Sequence, residues 1–139
     1  MTSWRLSLIA LGVIGAAAAP GPAMAHHGSG VSYITNIEAL ITMSGTVKEW
    51  VWKNPHCFIV YEVKDPSGKV TEWTAETSST SSMMGEFGWS RTTLKAGDAI
   101  TISVLPSRAG TAAGLLYRIV TPEGKVLIED KTRLRADAR

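Results

Sequence analysis

Short apolar runs, several with a polar residue at every second position, are separated along the chain by turn-forming residues. In the run from 56 to 64, every second residue from Cys57 onward is apolar, which places those side chains on one face of a strand. Pro66 and Gly68 follow at positions that favour a tight reversal of the chain. The pattern therefore predicts a β-hairpin over 56–76.

The same alternation predicts four further strands in the remainder of the chain. The first of them contains Gly45, where we expect a bulge or a bend because glycine inside a strand pattern often marks one. The predicted strands lie at 41–53, 99–105, 115–121 and 125–129.

One short helix is predicted between the hairpin and the later strands. Ser and Thr residues at 77–82 can cap a helix, 83–87 forms its body, and Gly88 is placed to end it. Three strands, a short helix and two or three more strands are the order of an OB-like barrel. We therefore expect an all-β fold with one short helix, a small five- or six-stranded Greek-key barrel.

The first 25 residues have the pattern of a secretory signal peptide. Arg5 precedes an apolar run at 6–19, which is shorter than the roughly 20 residues that a membrane-spanning helix needs. Ala23-Met24-Ala25 matches an A-x-A cleavage signal. We expect export to the periplasm, cleavage after Ala25 and no stable membrane insertion. The predicted parts are a signal peptide (1–25), a flexible segment (26–40), the barrel domain (41–130) and a charged tail (131–139).

Composition narrows the function further. The formal net charge is only +2, and no basic cluster stands out, so we expect no nucleic-acid partner. Hydrophobic residues make up 45% of the chain, as in ordinary globular proteins. The single cysteine excludes an internal disulfide and any multi-cysteine zinc site.

The three histidines are the candidate metal ligands. Cleavage after Ala25 would make His26 the first residue, so that its α-amine and its imidazole could chelate one ion. His56, the only histidine beyond His26 and His27, could supply a second imidazole, and a site of nitrogen ligands favours copper. In the simpler interpretation, the first two are residues beside a cleavage site and His56 is an ordinary strand residue.

Three other residues have donor atoms that copper accepts, but their positions favour packing. Cys57 alternates with apolar residues, so we expect a buried thiol rather than a ligand or a nucleophile. Met83 and Met84 stand beside Phe87 at helical spacing, which is typical of the packing face of a helix.

Tryptophans suggest a second function. Trp50 and Trp52 fall on one face of a strand, and Trp73 lies on the third strand. Together they could bind a small apolar molecule or a periplasmic protein partner, or they could simply fill the barrel. We expect a non-enzymatic periplasmic binding or accessory protein, with copper as its candidate ligand and the Trp-rich surface as the alternative. No catalytic residues are assigned, because no acid or base is visibly placed beside His56.

Several short motifs resemble a family of small exported bacterial proteins, domain of unknown function 6152. The motifs are Ala25-His26-His27, Gly45-Thr46-Val47, Trp52-x-Asn54-Pro55-His56, Gly88-Trp89-x-Arg91 and Leu94-Lys95-x-Gly97-Asp98. Together they cover most of residues 25–110. In that family Ser and an aromatic residue usually follow the histidine pair, where this chain has Gly28-Ser29-Gly30. The resemblance implies a small periplasmic barrel and implies no activity.

Overall fold

The computed structural model describes residues 32–134 of the chain. Six strands and one α-helix make up the fold, and short 3-10 turns at Ile37–Ala39 and Lys131–Arg133 flank it. The strands are β1 (Ile41–Val51), β2 (Phe58–Lys64), β3 (Val70–Glu76), β4 (Ala99–Pro106), β5 (Ala113–Val120) and β6 (Val126–Glu129), and the helix is α1 (Thr80–Phe87).

Five of the strands close into a barrel. The sheet runs β3-β2-β1-β4-β5-β6, and an additional pairing of β3 with β5 joins its ends. That closing pair is parallel, whereas the other pairs are antiparallel. β6 is an extra strand on the outside of β5. The expected OB-like barrel with one short helix is confirmed.

The predicted hairpin consists of β2 and β3, which pair from Phe58↔Glu76 to Lys64↔Val70 around the predicted turn. The bulge in β1 is not at Gly45, where the sequence pattern predicted it. The register shifts between Val47 and Glu49 instead. Gly45 is needed for another reason, because a Cβ there would lie 3.0 Å from the Glu62 carbonyl oxygen.

Helix α1 begins and ends with the caps that the sequence predicts. Ser79 is the N-cap, and its side chain accepts a hydrogen bond from the Ser82 amide. Gly88 is the C-cap in the left-handed region, at φ 67°, where glycine carries no steric cost. The helix is longer than predicted, because three of the Ser and Thr residues taken as capping residues form its first turn.

The core lies inside the barrel and beneath α1. Side chains on one face of β2, Cys57 just before it, and inward residues of the other strands are buried together with Met83 of the helix. Buried side chains at alternate positions of β2 confirm the two-residue period of the sequence. Within residues 32–134, no helix is long and apolar enough to cross a membrane.

The first described residues are tied to the barrel. Tyr33 forms an isolated antiparallel bridge with Ser107, just after β4. The Ile34 amide donates to the Pro106 carbonyl, and the Arg108 amide donates to the Ser32 carbonyl. The chain therefore arrives at the barrel beside the β4–β5 connection.

Candidate functional site

A groove of about 430 Å³ opens at the end of the barrel where the β1–β2 loop meets the end of β3. The start of β5 and residues near both ends of the described chain complete its wall. The lining is mainly polar, with hydroxyl, imidazole, carboxylate and guanidinium groups. The lining residues are Ser32, Tyr33, Pro55, His56, Glu76, Thr77, Ser78, Ser79, Ser82, Leu115 and Arg133.

His56 is the candidate ligand in this groove. It lies in the β1–β2 loop, and half of its side chain is exposed. Its Nδ1 contacts the Glu76 carboxylate oxygen Oε1. No group within residues 32–134 forms a hydrogen bond with its Nε2, so this nitrogen is available on the exposed side chain.

Glu76 connects His56 to Tyr33. Its second oxygen, Oε2, accepts a hydrogen bond of 2.5 Å from the Tyr33 hydroxyl. Glu76 is the last residue of β3 and is paired with Phe58 on one side and Leu115 on the other, so its backbone is fixed by two strands. Burial, and then the bond to Glu76, raise the pKa of Tyr33, which therefore remains a neutral donor at ordinary pH.

Asn54 fixes the loop that carries His56. The Asn54 Oδ1 accepts hydrogen bonds from both the amide and the hydroxyl of Thr80, at the start of α1. The next peptide bond, Asn54-Pro55, is cis, and Pro55 lines the groove. The short Asn-Pro-His motif thus attaches the loop to the helix, shapes the groove wall and positions the imidazole.

Arg133 forms another part of the groove wall. Its Nε lies 2.7 Å from Asp130 Oδ2, and its terminal NH2 group donates to the Ser78 hydroxyl. Asp130 is almost fully buried and also accepts from the amide and hydroxyl of Thr132. Arg133 belongs to the predicted charged tail, yet it is held against the barrel.

Of the three predicted metal ligands, the structure describes only His56. His26 and His27 lie outside the described residues, as does the predicted signal peptide. The described chain nevertheless begins at Ser32 on the groove wall, next to Tyr33. Among residues 32–134, no three His, Cys, Asp or Glu side chains form a group able to hold a metal ion.

The sulfur-containing residues do not join His56. Cys57 is fully buried, on the core side of the chain, whereas His56 is exposed, and burial raises the pKa of the Cys57 thiol. Met83 is also fully buried, and Met84 is exposed on the helix. The prediction of a buried Cys57 thiol is confirmed.

The three tryptophans predicted to bind an apolar ligand all pack against the core. Trp50 pairs with Ile59, and Trp73 pairs with Tyr61, so both lie on the inner side of their strands. Trp50 contacts the Trp52 ring edge-on, at 5.5 Å between centroids, and it contacts the buried Trp89 at 5.4 Å. Trp50 is therefore a half-buried residue that packs against the core, and binding by the tryptophans stays a prediction.

Sequence reasoning did not assign a role to Tyr33, Glu76 or Arg133. The hairpin register offered one signal, because the turn at 65–69 places the residues just before β2 opposite the end of β3. That register brings Glu76 close to His56. Nothing local marks Tyr33, which is 43 positions from Glu76.

Comparison with known proteins finds one family. The profile of a family of unknown function, DUF6152, matches residues 14–118, which is more than half of the chain. The matched range contains β1 to β4 and most of β5, together with His26, His27, His56 and Glu76. No curated protein and no solved structure matches the chain.

Proposed function

The chain belongs to DUF6152, a family of unknown function, and we propose that its own role is to bind a copper ion at His56. The His56 imidazole is the first ligand. The second ligand set is the α-amine and imidazole of His26, which are exposed when the leader is removed after Ala25, and His27 is a neighbouring donor. The protein then acts in the periplasm as a non-enzymatic binding or accessory protein.

The observation that carries the proposal is the contact between His56 and Glu76. Histidines that bind metals commonly donate the other ring N–H to a carboxylate, which orients the ring and makes the ligating nitrogen more basic. His56 has this arrangement, with Nδ1 held by Glu76 and Nε2 available on a half-exposed side chain.

The path of the chain also supports the proposal. Ser32 lines the groove that holds His56. His26 precedes Ser32 by six positions, a stretch that spans at most about 21 Å. The amine and imidazole of His26 are therefore tethered near His56, which raises their effective concentration at the site.

Copper is the favoured ion because of the donor atoms. An α-amine and two imidazoles offer three nitrogen ligands, and Cu(II) binds nitrogen donors more tightly than the other common divalent ions do. The groove has hydroxyl and guanidinium groups but no available thiolate, since Cys57 is buried on the other side of the chain.

The test is a Cu(II) titration of the processed protein, residues 26–139, with calorimetry and electron paramagnetic resonance as the two readouts. We expect one ion per chain with sub-micromolar affinity. Two variants remove one ligand set each: His56→Ala, and a chain with one additional residue before His26. Each should weaken binding by at least about tenfold. His27→Ala distinguishes the two neighbouring histidines and should have the smaller effect if His26 chelates.

Sub-micromolar binding that is unchanged in both variants would rule out the site. A second titration, with small apolar molecules in place of Cu(II) and with tryptophan fluorescence as the signal, tests the alternative function. A fluorescence response to an apolar ligand, with no response to copper, would favour binding by Trp50, Trp52 and Trp73.

A further inference from the structure

We propose that Glu76 is a positioning residue that keeps the proton of His56 on Nδ1 and so assigns metal binding to Nε2. Tyr33 is the second positioning residue, because its hydroxyl donates a hydrogen bond to Glu76 and its backbone is bridged to Ser107. We call these three residues the Glu76 bridge: His56, Glu76 and Tyr33. The inference rests on the proposed copper site and adds how that site selects one of two ring nitrogens.

The first step follows from the donors and acceptors available. An ionised carboxylate has acceptors only, so a hydrogen bond between Glu76 Oε1 and His56 Nδ1 requires the proton on Nδ1. In the neutral ring, Nε2 is then the lone-pair nitrogen, which is the form that binds a metal. Without the carboxylate, both tautomers of the ring would be populated.

The second step concerns what holds the carboxylate. The Tyr33 hydroxyl donates to Oε2 and leaves Oε1 for His56. Glu76 is 21% exposed in its side chain, and its backbone lies between β2 and β5. Because the carboxylate has a donor on each oxygen and a fixed backbone, it holds the imidazole ring in one orientation.

The third step connects the bridge to the tether. Tyr33 also pairs with Ser107, so it is fixed at its backbone as well as at its hydroxyl. Tyr33, seven positions after His26 in the sequence, is therefore held by the same carboxylate that orients His56. The Glu76 bridge thus selects the ligating nitrogen of His56. It also fixes Tyr33, the residue of the bridge that is nearest to His26 in the sequence.

The test begins without metal. Long-range proton–nitrogen NMR of histidine-labelled protein at about pH 8, where an ordinary imidazole is neutral, shows which ring nitrogen carries the proton. His56→Ala assigns the signals. We expect the wild-type His56 to be protonated on Nδ1, and Glu76→Ala to show a mixture of the two tautomers. Glu76→Gln keeps an acceptor oxygen and should largely restore the Nδ1-protonated form.

The same variants are then titrated with Cu(II) alone. We expect Glu76→Ala to bind about 10- to 100-fold more weakly, which is the usual loss when the partner of a ligating histidine is removed. Glu76→Gln should lose less. Tyr33→Phe keeps the ring, removes only the hydroxyl, and should weaken binding several-fold while the tautomer is retained.

The outcomes separate the two proposals. A wild-type His56 protonated on Nε2, or a Glu76→Ala variant with the wild-type tautomer, overturns the positioning role whatever the copper affinity is. The expected tautomers in a protein that does not bind Cu(II) overturn the metal site and leave the tautomer control in place. A purely structural role of Glu76 would alter stability without changing the tautomer.

Discussion

Closure of the barrel depends on the absence of a side chain at Gly114. This residue lies in β5, opposite Pro106 of β4 and Ala75 of β3, where the parallel pair closes the sheet. A Cβ at this position would lie 2.6 Å from Val104 Cβ, 2.7 Å from Val104 Cγ2 and 3.0 Å from the Leu105 carbonyl oxygen. We predict that Gly114→Ala destabilises the protein.

The magnitude follows from the distances. Ordinary contacts of a Cβ begin at about 3.4 Å, so the new methyl group must move away from Val104 by nearly 1 Å. Val104 is fully buried and belongs to a paired strand, so the strands themselves must separate. Overpacking of this kind costs about 1–3 kcal/mol. For a domain of this size, each kcal/mol lost lowers the Tm by about 4–8 °C.

The assay is urea denaturation followed by tryptophan fluorescence, with thermal unfolding by circular dichroism beside it. Gly85→Ala is the matched control, because Gly85 is exposed in α1 and its new Cβ would have no atom within 4 Å. That variant should be neutral or more stable by up to about 1 kcal/mol. A loss below about 0.5 kcal/mol in Gly114→Ala would refute the argument that this contact limits the closing strands.

Three further predictions concern buried groups and the helix cap. The Tyr61 hydroxyl is buried with no hydrogen-bond partner among residues 32–134, so Tyr61→Phe should stabilise the fold by up to about 1 kcal/mol; a loss above about 1 kcal/mol would contradict this. Burial raises the pKa of Tyr61, so above about pH 10 the phenol ionises more readily in the unfolded chain than in the folded protein. The free energy of unfolding therefore decreases as the pH rises above that value. Alkaline denaturation should therefore be less steep in Tyr61→Phe. Ser79→Ala removes the acceptor of the Ser82 amide and should cost about 0.5–2 kcal/mol in urea denaturation, and no change would show that the cap is dispensable.

Local patterns were sufficient for most of the fold. The two-residue period of β2 and the Pro and Gly of its turn specified the hairpin, and Gly88 specified the end of α1. The bulge was misplaced because glycine is only one cause of an irregular strand. In β1 the register shift falls between Val47 and Glu49, whereas Gly45 allows the close approach of Tyr61 and the Glu62 carbonyl.

The candidate site could be predicted only in part. His56 was conspicuous because it is the only histidine beyond the N-terminal pair, and that rarity is visible in a sequence. Its partners were not visible in this way, because Glu76 was one strand carboxylate among several and Tyr33 reaches it across 43 positions. A site assembled by strand pairing and by the return of the chain ends depends on tertiary contacts that short-range patterns do not encode.

Two residues on the groove wall, one near each limit of the described range, have a practical consequence for purification. Ser32 and Arg133 both lie on the wall of the groove that exposes His56. A tag fused before His26 would block its α-amine, and a tag fused after Arg139 would be joined to Arg133 by six residues, which span at most about 21 Å from the candidate metal site. A polyhistidine tag would bring competing imidazoles to it, so purification for copper measurements should use a tag that contains no histidine or one that is removed completely.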